Sequence, residues 1–97
     1  MGKLRMCFNN VDKRLRKLNW VKQKENHYGA TYLRYEYNGK YLHRLDIMHK
    51  GSGDHLIQSY EQGVNSDGFN NCVGLGYQDM KLALKKYRQL KRRYKWK

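Results

Sequence analysis

Apolar residues recur along this chain with two different periods, and each period predicts an element. Val11, Leu15 and Leu18 fall at helical spacing behind Asn9 and Asn10, either of which suits an N-cap. A helix is therefore expected over about 10–18, stopped by Asn19, with Lys13, Arg14, Arg16 and Lys17 on its other faces. The rhythm then changes. Residues 20–24 read as a first strand, and residues 30–37 (Ala-Thr-Tyr-Leu-Arg-Tyr-Glu-Tyr) are rich in strand formers. They run into Asn38-Gly39, the strongest short hairpin signal. Residues 40–48 return as the partner strand, with Tyr41, His43, Leu45 and Ile47 alternating on one face. Gly51-Ser52-Gly53 marks a second turn, and residues 55–60 a further strand.

Residues 62–71, dense in Gly, Asn, Ser and Asp, read as an exposed loop. The short apolar piece 72–75 adds an edge strand or plugs the core. From Asp79 to Tyr94 the helical period returns, in Met80, Ala83, Leu84, Tyr87, Leu90 and Tyr94. Asp79 in the first turn and a run of Lys and Arg in the last suit the helix dipole. The order predicts an α+β fold. A short N-terminal helix precedes a three- or four-stranded antiparallel meander, and a long basic C-terminal helix packs on the sheet. No linker, repeat or proline divides the chain, so residues 1–97 are expected to form a single domain.

Charge alters the picture. Lys and Arg number 21 against eight Asp and Glu, a formal +13. Residues 1–25 carry a net +6, residues 26–78 a net −1, and residues 79–97 a net +8. Such basic ends point to a polyanionic partner. On the last helix Lys81, Lys85, Arg88, Arg92 and Lys95 line one stripe beside the apolar seam, and Lys86, Arg93 and Lys97 lie further round. Pairs such as Lys81–Lys85 and Arg88–Arg92 repel at i,i+4, and phosphates opposite would relieve them. The competing expectation is a frayed basic tail after about Leu90. Lys13, Arg14, Arg16 and Lys17 extend the patch if the two helices pack together. Tyr32, Tyr35, Tyr37, Tyr41 and Tyr60 lie on strands, where they serve as core and cross-strand pairs or, if exposed, as a stacking platform for single-stranded bases.

Catalytic and metal patterns are thin. His43 and His49 share a strand parity, with Asp46 on the opposite face. His49, Asp54 and His55 around the Gly51–Gly53 turn are the closest approach to a nuclease-like or metal cluster, but they match no defined ligand set. Gly51-Ser52-Gly53 lacks the Lys and following helix of a phosphate-binding loop. Gly74-Leu75-Gly76-Tyr77 precedes a helix and reads as a strand-to-helix turn before it reads as a phosphate cradle. Cys7 and Cys72 make no metal pattern and are expected as reduced thiols, Cys72 as a small buried hydrophobe. No catalytic residue, metal or cofactor is expected. There is no apolar run of signal-peptide or membrane-span length, so the expected setting is the cytoplasm, bacterial or phage-infected, with no membrane partner.

Helix, three-stranded meander, helix is similar in topology to the double-stranded RNA-binding domain. That likeness implies phosphate contacts from the N-terminal turn of the last helix, here Lys81, Lys85 and Lys86. An extra strand and the long 62–71 loop depart from that pattern. The segment Lys17-Leu-Asn-Trp-Val-Lys-Gln-Lys-Glu-Asn, followed by a Tyr-rich hairpin, resembles small uncharacterised proteins of phages and mobile elements of Gram-positive bacteria. This resemblance implies counter-defence, such as inhibition of CRISPR nucleases, as readily as phage DNA metabolism. The expected function is non-catalytic binding of DNA or RNA through phosphate contacts. The alternatives are an interaction protein meeting an acidic protein or ribonucleoprotein surface, a small nuclease, and a ribosome-associated role.

Overall fold

The computed structural model describes residues 2–36, 38–63 and 71–97, with side chains from Asn10 onward. Its order is α1 (Gly2–Lys17), β1 (Val21–Asn26), β2 (Gly29–Glu36), β3 (Tyr41–Met48), β4 (Leu56–Gly63), β5 (Asn71–Cys72) and α2 (Tyr77–Arg93). The fold is the expected α+β arrangement, with a five-stranded antiparallel sheet in the order β1-β2-β3-β4-β5 and both helices on one face.

The first helix is longer than its short apolar pattern predicts. It runs through Asn9 and Asn10, so neither caps it. Its end is as expected. Asn19 takes φ 72° while the Trp20 amide reaches back to the Leu15 carbonyl and the Asn19 amide to that of Arg16, closing the helix in a Schellman turn. The last helix ends the same way. Lys95 has φ 54° and the Trp96 amide bonds the Lys91 carbonyl. This turn brings the Trp96 ring into the core, so the chain after Leu90 is an ordered helix end rather than a frayed tail.

At the β2–β3 hairpin Asn38 and Gly39 both hold positive φ, 57° and 84°, as a type I′ turn requires. Tyr37, beside it, lies outside the described residues. Gly29 opens β2 at φ 142°, and a Cβ there would collide with the carbonyl oxygen of Ile47, so this crossing of β2 and β3 admits only glycine. The expected 62–71 loop is shorter in the structure. Residues 62 and 63 still pair in β4, residue 71 begins β5, and 64–70 lie outside the described residues.

Rungs of the sheet sort the side chains. Tyr32, Leu45 and Ser59 share one rung, Ala30, Ile47 and Ile57 another, and these point toward the helices. There they meet Val11 and Leu15 of α1, Leu82, Ala83 and Leu90 of α2, and both tryptophans. Burying each large aliphatic side chain here contributes about 1.5–3 kcal/mol. The intervening rungs face away from the helices. They carry Tyr35 and Leu42, Leu33, Arg44 and Tyr60, and Thr31 with Asp46. Asp46 is buried there, accepting from Thr31 Oγ1 at 2.7 Å and from Arg44 Nε. Cys72 sits on the two-residue edge strand and is exposed, not buried, because no element lies beyond that strand among the described residues to cover it.

Candidate nucleic-acid interface

The packing rotates α2 away from the seam its apolar residues suggest. Its buried positions are Asp79, Leu82, Ala83, Lys86, Gln89 and Leu90, while Met80 and Leu84 are exposed. Polar anchors set this rotation, and Asp79 is the first. Its carboxylate accepts from Trp20 Nε1 at 3.0 Å and from both terminal nitrogens of Arg34, at 2.9 and 3.1 Å. The Arg34 guanidinium lies 4.1 Å from the centre of the Trp20 ring. Burial alone would raise the Asp79 carboxyl, but the Arg34 and Trp20 bonds, the Arg34 charge and a Gly76 backbone bond hold it below the usual carboxylate value.

Lys86 is the second anchor, and it is wholly buried. Its ammonium lies 2.7 Å from Glu25 Oε1, 3.2 Å from Asp12 Oδ1 and 2.8 Å from Gln89 Oε1. Burial opposes the Glu25 charge, yet bonds from Lys86 and Tyr94 with the charges of Lys86 and Lys22 draw its carboxyl down to about 2. Asp12 is likewise lowered against its own burial by Tyr32, Lys22 and Lys86. Burial and the Asp12 bond push the Tyr32 hydroxyl up. Arg93 also pairs with Glu25. Lys86, expected at the phosphate-binding surface, is thus engaged inside the protein, and Arg93, also expected there, is exposed but paired with Glu25. Lys86 has no solvent-facing atoms to offer, because β1 and α1 bring two carboxylates over that side of α2. Nothing in the spacing of Asp12 or Glu25 announces this network.

The other cations divide by helix face. Arg14 and Lys17 of α1 turn toward α2 and, with Lys81 and Lys85, line a groove of about 250 Å³ floored by Leu18 and Leu82. Gln78, one turn before Lys81 and Leu82 and absent from the expected site, completes the lining. Among the described residues no acid lines this groove. Arg88 and Arg92 are exposed further along α2, and Lys81 to Arg92 spans about 16 Å of helix. Lys81 also lies over the ring of Tyr77, 5.3 Å from its centre. Lys13 and Arg16 flank a different groove, lined also by Asp12 and Lys22, on the β1 side of α1. Lys95 is exposed, but its left-handed turn carries it out of the helical stripe.

The strand tyrosines divide as well. Tyr32 is core, and its hydroxyl donates to Asp12 at 2.6 Å. Tyr35 is exposed and Tyr60 half-buried on the helix-free face, and Tyr41 is exposed at the sheet's end. His43, on the core face opposite in parity to Asp46 as expected, is buried between Ser59 and Glu36. His49 lies past the end of β3 rather than on it. Among the described residues no group of three or more His, Cys, Asp or Glu could hold a metal ion, and no helix is long and apolar enough to cross a membrane. Compared with protein-family models, curated proteins and solved structures, the chain matches none.

Proposed function

We propose that this protein is a non-catalytic nucleic-acid-binding protein that grips phosphates in the α1–α2 groove. The observation that carries the reading is the convergence of Arg14, Lys17, Lys81 and Lys85, from two helices, on one groove that no acid lines among the described residues. Four like charges held together by a packed core repel one another, and a phosphate backbone relieves that repulsion as it releases its own counterions. Arg88 and Arg92 extend the contact along α2, over a length equal to about five base-pair steps of duplex. Lys86 and Arg93 are not contacts in this reading.

The test is fluorescence anisotropy of labelled single- and double-stranded DNA and RNA from low to physiological salt. Four to six phosphate contacts on a duplex predict log K falling with log salt at a slope of about −4 to −5. Lys81→Glu with Lys85→Glu should abolish binding while the fold persists. Equal binding by the reversed variant would defeat the proposal.

A second reading, an interaction protein such as a phage inhibitor of bacterial defence, is favoured by the helix-free sheet face. Val21, Tyr35 and Met48 are exposed there beside half-buried Leu33 and Leu42. It is the better reading if no free nucleic acid binds and an acidic protein or ribonucleoprotein does.

A further inference from the structure

His49 and His55 flank the Gly51-Ser52-Gly53 turn. Met48 and Leu56 form the last rung of the β3–β4 ladder, so the two histidines occupy the next positions out and face each other. Their Nδ1 atoms are 3.3 Å apart and both residues are half-buried. His55 Nε2 lies 2.7 Å from the backbone oxygen of Lys97. That oxygen only accepts, so Nε2 carries the proton and the neutral ring has its lone pair on Nδ1, toward His49. Trp96 packs against the His49 ring at 5.2 Å between centroids and 19° between planes, and its own N–H donates to the His27 carbonyl at 2.8 Å.

We infer that His49 and His55 form a chelate for a divalent transition-metal ion of the zinc, nickel and copper class. Two imidazole nitrogens bound to one tetrahedral ion at about 2.0–2.1 Å sit about 3.3 Å from each other, the separation already present. The Lys97 oxygen on the far nitrogen of His55 is the kind of outer contact that fixes a ligating histidine's tautomer and ring orientation. In the metal-free protein His49 donates its Nδ1 proton to His55. Metal binding moves that proton to His49 Nε2, so the ring stays neutral and its Nδ1 lone pair turns to the ion. The Lys50 backbone N–H also reaches His55 Nδ1, at 3.4 Å, a long contact that an ion at that nitrogen would displace. Two imidazoles without a third described His, Cys, Asp or Glu leave the remaining positions to water. Such a donor set favours copper over nickel and zinc. The bound ion clips the two sides of the β3–β4 turn together beside Trp96, while His55 Nε2 keeps its bond to the Lys97 oxygen.

The full chain, stripped with EDTA and dialysed, is titrated with copper(II) chloride while tryptophan fluorescence is read, because a paramagnetic ion beside Trp96 quenches it. Zinc chloride is followed by thermal midpoint. One ion per chain is expected, with affinity reduced more than about tenfold in His49→Gln and in His55→Gln and unchanged in His27→Gln. Melting in EDTA verifies that each variant is folded, and His55→Asn replaces His55→Gln if the latter is not. Absence of binding, parental affinity in the folded His49 variant, or loss of binding in His27→Gln each overturns the site.

Discussion

Replacing Lys86 with methionine keeps most of the side chain's length and removes its charge, one residue away from a lysine with the opposite role. In the folded protein the Lys86 ammonium has three partners within 3.2 Å and no exposure to solvent. Without it, Glu25, whose side chain is only 8% exposed, keeps Arg93, Tyr94 and Lys22 but loses its closest lysine. The fall of the Glu25 carboxyl from 4.5 to about 2 corresponds to about 3 kcal/mol of favourable interaction, shared among these groups. Breaking a buried pair by removing one member costs about 3–5 kcal/mol. Lost contacts to Asp12 and Gln89 add to the Glu25 share, and the partners that remain subtract from it. The expected loss is about 3 kcal/mol, a midpoint lower by about 15 °C for a domain of this size. Lys85→Met, exposed beside the groove, should change stability by no more than about 0.5 kcal/mol and weaken nucleic-acid binding instead. Urea and thermal unfolding with anisotropy on both variants decide the matter. A Lys86→Met protein as stable as the parent, or a Lys85→Met protein that unfolds in its place, would refute the assignment of the two lysines.

Three other perturbations have defined outcomes. Glu25, Asp12 and Asp79 all have carboxyls lowered in the folded state, so their stabilisation is present above the unfolded values of 3.8–4.5 and is lost as pH falls through the folded ones. Urea midpoints should drop between about pH 4.5 and 2, the window of Glu25, and a flat profile there would contradict the network. Gly29→Ala places a methyl against the Ile47 carbonyl at φ 142° and should cost about 3 kcal/mol or more, read by urea unfolding; a neutral effect would mean the β2–β3 crossing is not as close as described. Trp20→Phe removes the donor to Asp79 and should cost about 1–3 kcal/mol, lowering the thermal midpoint without altering salt dependence of binding; an unchanged midpoint would remove Asp79 as an anchor.

Much of this fold was legible along the chain. Alternation in residues 40–48 placed His43, Leu45 and Ile47 on the core face, and Asn38-Gly39 located the hairpin, because both signals are local backbone preferences. The start of α1 was missed although Leu4, Phe8, Val11, Leu15 and Leu18 continue a 4-3-4-3 spacing, since Asn9 and Asn10 look like caps when the residues before them are set aside. Cys72 was misjudged because exposure at a sheet edge depends on what lies beyond the strand.

The candidate site divides along the same line. Composition and spacing alone determined that both ends are basic and that Lys81, Lys85, Arg88 and Arg92 share a helical stripe, because charge and the 3.6-residue repeat are properties of the chain itself. Only tertiary structure decided which cations remain available. Asp12 and Glu25, far from α2 in sequence, draw Lys86 inward and engage Arg93, and Asp79 binds Arg34 and Trp20, so α2 is rotated by its charged contacts against the direction its apolar residues suggest. The same packing sets Arg14 and Lys17 opposite Lys81 and Lys85, and leaves Lys13 and Arg16 on the other side of α1. A buried charge must find its counter-charge wherever the fold brings one, and that pairing is a property of three-dimensional proximity that no local pattern encodes.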